Sequence, residues 1–313
     1  MSPRAERSMV DSAEFTSYYG RPILKEPAWK QPDVPLYLFL GGTAGSSASI
    51  AVLAELTGRP RLAKVAKLAA AGGATASVVA LIHDLGKPAR FLHMLRVLKP
   101  TSPLSAGSWI LAPFSGLAAI SAGSAVTGVL PRIGRLAGAA AGLLGPAMCT
   151  YTAVLLADTA TPSWHEARRE LPILFAGSAL TSGAGVALVA VPSRETGPVV
   201  RAALAGAAAE LAAAHRMETG LGVVSEPYRT GRAGKLLKAA RGLTVAAAGL
   251  SLAARRSRFA AMASGAAYLA AGLCTRFGVY QAGVESAKDP KYVVVPQRAR
   301  LSSEDGRDGH GGG

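Results

Sequence analysis

Few side chains in this sequence can move a proton, and most of them stand at the ends of apolar runs. His83 and Asp84 are adjacent, an imidazole of the type that exchanges a proton near neutrality beside a carboxylate that can accept one. Tyr37 and Tyr151 put phenolic hydroxyls, able to donate and to accept hydrogen bonds, into apolar surroundings. Asp33, Asp158 and Arg276 add charges near the ends of the same runs. Such a set offers hydrogen-bond donors with a proton acceptor beside them, and no residue group suggests a metal site. The only cysteines, Cys149 and Cys274, fall inside apolar runs, and without a CxxC cluster the chain cannot hold an iron–sulfur cluster of its own. They read as small buried side chains.

The stretch HDLGKPARFLHMLRVLKPTSPLS, residues 83–105, is the densest in polar groups. Pro88 suits a first helical turn, and the segment up to Pro100 is helix-competent, so an amphipathic helix is expected over about 88–99. Phe91, Met94, Leu95 and Leu98 share one face of it, and Arg90, His93, Arg96 and Lys99 share the other. Its polar side either rests on anionic lipid or receives a partner protein.

Long apolar helices must position these groups. The chain has 313 residues, is 50% hydrophobic and only 17% charged, against about 25% charge in a soluble domain. Leu36–Ala54, Ser102–Leu130, Leu136–Ala157, Leu171–Ser193 and Phe259–Thr275 each run 17 residues or more without an ionised side chain. A helix needs about 20 apolar residues to cross a bilayer. Leu68–Ile82, lengthened by snorkelling of Lys64 and Lys67, makes a sixth span. Thr196–Ala214 and Lys235–Ala254 contain charges but bring the count to eight. The expectation is an all-α integral membrane protein in the cell membrane, with a polar N-terminal segment 1–33, a membrane domain 34–285 and a polar tail 286–313. Residues 1–34 are polar and show no cleavable signal, and the first span would itself direct insertion. The net charge of +15 is not read as a nucleic-acid footprint, because the bases lie in short loops between apolar spans.

Face A denotes the side carrying the N-terminus and face B the opposite side. Eight spans bring Asp33, Tyr37, His83, Asp84, Tyr151, Asp158, Glu210, His215 and Arg276 toward face A, whereas face B holds mainly loop bases. Intramembrane polar groups are costly and mark function, so one polar pocket is expected near face A. The B loops carry eleven bases against Glu55 and Glu195, which favours B as the cytoplasmic face. Gly41-Gly42-x-x-Gly45 and Gly138-x-x-x-Gly142 leave smooth surfaces for close helix contact.

Several stretches resemble one family. DLGKPARFLHML and KPTSPLSAGSWIL within 84–111 are similar to the hallmark of the NrfD/polysulfide reductase membrane subunits. YYGRPILKEPAWKQPDVPLYLFLGG at 18–42, YTAVLLADTATPSWHEARRELPILF at 151–175 and TRFGVYQAGVESAKDPKYVVVPQR at 275–298 agree with it. The resemblance implies eight transmembrane helices as two four-helix bundles, a quinone (menaquinone foremost) as the reactant and no haem. It also implies a ferredoxin-like iron–sulfur subunit docked on the quinone face and a molybdopterin catalytic subunit beyond it. By position Tyr151 looks like the family tyrosine that binds a quinone oxygen, and His83 and Asp84 match the polar end of helix 2. Asp33 and Tyr37 stand where relatives place other polar groups. Two other classes also use polar groups in membranes. A transporter would place them at the midplane, and a haem-binding cytochrome b anchor would need facing histidines well inside the bilayer.

Overall fold

The computed structural model describes residues 24, 25, 27, 29–87 and 89–298; residues 1–23, 26, 28, 88 and 299–313 lie outside the described residues. Those described are helices and their connectors, with no strand among them. The long helices are α1 (Asp33–Leu56), α2 (Pro60–Leu85), α4 (Pro103–Thr127), α5 (Pro131–Ala157), α7 (Glu170–Ala190), α8 (Gly197–Gly220), α10 (Gly231–Leu252) and α11 (Arg258–Lys288). Short helices α3 (Ala89–Met94), α6 (Pro162–Glu166) and α9 (Glu226–Arg229) sit in the connectors.

Local chemistry sets the helix ends. Pro60, Pro103, Pro131 and Pro198 occupy first turns, where a missing N–H costs nothing. Gly86 and Gly128 end α2 and α4 in the left-handed conformation at φ 71° and 74°, which a side chain would disfavour. α1, α2, α4, α5, α7 and α8 are long and apolar enough to cross a membrane. α10 and α11 have 22 and 31 residues, but Lys235, Lys238 and Arg241 in one, and Arg276 and Glu285 in the other, dilute their apolar character.

α1, α2, α4 and α5 pack in a ring, and α7, α8, α10 and α11 form another. α1 joins them, contacting α7 and α11. Between rings, the Ser46 hydroxyl donates to the Ala179 carbonyl at 2.6 Å. Within the first ring, a Cβ added to Gly45 would lie 2.6 Å from the Gly145 carbonyl oxygen, so α1 and α5 touch backbone to backbone.

Hydrogen bonds gather the connectors at each end. At the A end the Lys30 N–H donates to Asp84 at 2.8 Å, the Tyr280 hydroxyl to the Trp29 carbonyl at 2.5 Å, and the Tyr228 hydroxyl to the Ser163 carbonyl at 2.8 Å. At the B end Arg258 donates to the carbonyls of Leu188 and Val191 at 2.8 and 2.6 Å, and Glu195 accepts from the Leu62 N–H at 2.9 Å.

The expected helix over 88–99 is shorter, and α3 ends at Met94. Ser105 explains the difference, since its hydroxyl donates to the Val97 carbonyl at 3.1 Å and accepts from the Lys99 N–H at 3.0 Å. Those backbone groups are thereby satisfied along a non-helical path into Pro100.

Candidate functional site

Tyr37 on α1 and Tyr151 on α5 are both buried, and their hydroxyls hydrogen-bond directly to each other. The rings meet edge to face at 6.5 Å between centroids. Room for this comes from α4, where a Cβ on Gly107 would stand 2.7 Å from a Tyr151 ring carbon. The bulkless position lets α4 lie across the ring and hold it.

The phenol pair forms one wall of a cavity of about 210 Å³ inside the first ring of helices. Leu38, Leu81, Leu155 and Leu156 supply apolar walls, and Asp84 and Arg90 stand on the lining as its charged groups. Asp84 is oriented by the Lys30 N–H, and Arg90 by donation to the Leu85 carbonyl at 2.9 Å. Trp29 and Met94 of the face A connectors also line the cavity.

The seven groups singled out by sequence thus separate. Tyr37, Asp84 and Tyr151 share this cavity. His83 turns outward, its ring 74% exposed and its Nδ1 2.7 Å from Asp33 Oδ2, so that pair lies beside the cavity without lining it. Asp158 lines a different crevice with His165 and Tyr292. Arg276 is fully buried between the rings, 3.7 Å above the Phe175 ring and donating to the Phe175 carbonyl at 2.9 Å. Glu210 is also buried, accepting from the Thr275 hydroxyl at 2.8 Å. The four side chains assigned to a docking helix, Arg90, His93, Arg96 and Lys99, are all exposed, and Arg90 also stands on the cavity lining.

Sequence reasoning did not single out Trp29, Trp164 or Gly107. Trp29 stacks on Trp164 at 5.8 Å, and Trp164 contacts Tyr280 at 5.8 Å while its Nε1 donates to the Val279 carbonyl at 2.8 Å. That stack anchors the cavity's Trp29 wall to α11. A signal was present, because EPAWKQPD, TPSWHEA and RFGVYQ all lie inside the stretches that carry the family resemblance.

No curated protein matches the chain. A family model, Polysulphide reductase, NrfD, matches residues 26–199, which include every residue lining the cavity. The stretch 275–298 lies outside that match. With more than half of its length matched and, among the described residues, six helices able to cross a bilayer, the chain belongs to the NrfD polysulphide reductase family and is a multi-pass integral membrane protein.

Proposed function

We propose that this chain is the quinone-reactive membrane subunit of an oxidoreductase complex, crossing the bilayer eight times as two four-helix bundles. It exchanges electrons between the quinone pool, menaquinone foremost, and a ferredoxin-like iron–sulfur subunit docked on face A, with a molybdopterin catalytic subunit beyond. The observation carrying this reading is the cavity of about 210 Å³ with a hydrogen-bonded phenol pair in its wall and a carboxylate on its lining. A planar apolar ring bearing two carbonyl oxygens suits such a site, apolar on most sides with a few directed polar groups.

A bound quinone supplies two-electron, two-proton chemistry, and this chain's residues bind, orient and exchange protons. In a phenol pair one hydroxyl proton is committed within the pair, and the other hydroxyl keeps its proton for a ligand oxygen. Tyr151, the residue singled out by the family resemblance, is assigned that role, with Tyr37 orienting it. Asp84 is the proton acceptor on the lining, and its neighbours at the A rim, His83 and Asp33, carry protons onward to water. Arg90 offers a charged donor to the second carbonyl. His93, Arg96 and Lys99 present a basic edge to the iron–sulfur partner.

The test is quinol-dependent electron transfer in membranes containing the whole complex. Tyr151→Phe keeps the ring and removes only the hydroxyl. Loss of one hydrogen bond, about 1 kcal/mol, should weaken apparent quinol affinity roughly five-fold or more. Unchanged kinetics at matched protein levels would remove Tyr151 from the site.

A further inference from the structure

The B end of the first ring holds a second opening. It is a crevice of about 520 Å³ between the α1–α2 turn, the start of α2, the end of α4 and the start of α5. Arg59, Lys64, Lys67 and Arg135 line it with a single carboxylate, Glu55. That carboxylate is engaged, since Lys67 Nζ lies 2.6 Å from Glu55 Oε1. Lys67 is itself buried.

Three cations therefore remain around one crevice. Arg59 reaches the Arg194 carbonyl with one nitrogen at 3.4 Å, but its Nε is buried with no hydrogen-bond partner. Lys64 and Arg135 are exposed, and among the described residues neither has a carboxylate partner. Like charges held together in one cleft repel, so the cluster is stable only with an anion or full solvation.

The helix ends that form the crevice point to which anion. The ends of α1 and α4 and the start of α5, which meet at the crevice, also carry Leu56, Val126 and Leu136, and these are 81%, 57% and 71% exposed. A basic crevice set among the ends of membrane-length helices that carry exposed large apolar side chains describes a water–hydrocarbon boundary. A soluble anion would answer the charges alone.

We propose that this crevice binds the phosphodiester headgroup of an anionic phospholipid, whose acyl chains run along the exposed apolar surface of the same helices. Arg59 and Arg135 bind the phosphate oxygens with directed donors, and Lys64 adds charge. Lys67 and Glu55 form the floor. The site is independent of the quinone reading, because it lies at the opposite end of the helices.

The experiment uses the full chain in detergent, with binding of phosphatidylglycerol measured by native mass spectrometry. Lys64→Gln/Arg135→Gln removes two exposed charges without touching the helix packing. At about 1 kcal/mol per base near a lipid surface, apparent affinity should fall roughly 30-fold. Arg255→Gln/Arg256→Gln, with the same charge removed from another B loop, should bind as the unaltered chain does. Phosphatidylcholine and inorganic phosphate should fail to displace the lipid. Equal loss in both double variants would reduce the effect to net charge and overturn the site. Full displacement by inorganic phosphate would make it a site for a soluble anion, and the lipid proposal would fall.

Discussion

A buried phenol pair is only as well oriented as the backbone beside it. Tyr151 keeps its position because α4 crosses its ring at Gly107, with no side chain between. Gly107→Ala pushes a methyl into that ring and should lower apparent quinol affinity about as much as Tyr151→Phe does, although every polar group is retained. Steady-state kinetics in membranes check this, and an unaltered value would mean that the ring position does not matter to the site. The neighbouring acids also separate at this scale. Asp84 is on the cavity lining, whereas His83 turns to Asp33 outside it. Asp84→Asn should therefore slow proton-coupled turnover more than His83→Ala at matched expression. The reverse order would move the proton acceptor out of the cavity.

Among the elements, α3 and the turn that follows it bring two cations to face A. Arg90 faces the cavity, while Arg96, just past its end, is exposed on face A. Charge reversal at Arg96 should weaken co-purification of the iron–sulfur partner and leave the quinol affinity of intact complex unchanged. Arg90→Glu should instead alter quinol affinity. The membrane subunit should insert in both variants, since neither residue belongs to the long helices. Partner yield unaffected by Arg96→Glu would favour a segment resting on anionic lipid. The remaining elements act as supports. The Trp29–Trp164–Tyr280 stack fastens one wall of the cavity to α11, and Arg276 wedges between the rings against Phe175.

For the whole molecule, the proposed eight crossings would put both ends of the helical array on one side. Reporter fusions after Asp33 and after Tyr292 should report the same compartment, and opposite compartments would dismantle the eight-span topology. Apolar length alone led to eight expected spans. Among the described residues six of these helices, α1, α2, α4, α5, α7 and α8, are long and apolar enough to cross a bilayer. The charge-free block Phe259–Thr275 falls in α11, which is not one of them, whereas Thr196–Ala214, with its charges, corresponds to α8, which is. The family was legible for a different reason, in that its motifs sit in connectors and helix ends where particular polar residues are required. Facing was not legible. Alanine, glycine and leucine surround these helices on every side, so no polar stripe announces which side meets a neighbour. Adjacent residues point about 100° apart on a helix, and that rotation sends Asp84 into the cavity and His83 out of it. Charge was equally silent about depth, because Arg276 and Asp158 look alike as rim residues until one is buried on Phe175 and the other opens onto a separate crevice. What the sequence by itself determined was membrane-length helices and family. Only tertiary packing decided that Tyr37 and Tyr151, 114 positions apart, share one hydrogen bond, because backbone contact between α1 and α5 at Gly45 and Gly145 sets the rotation of both helices.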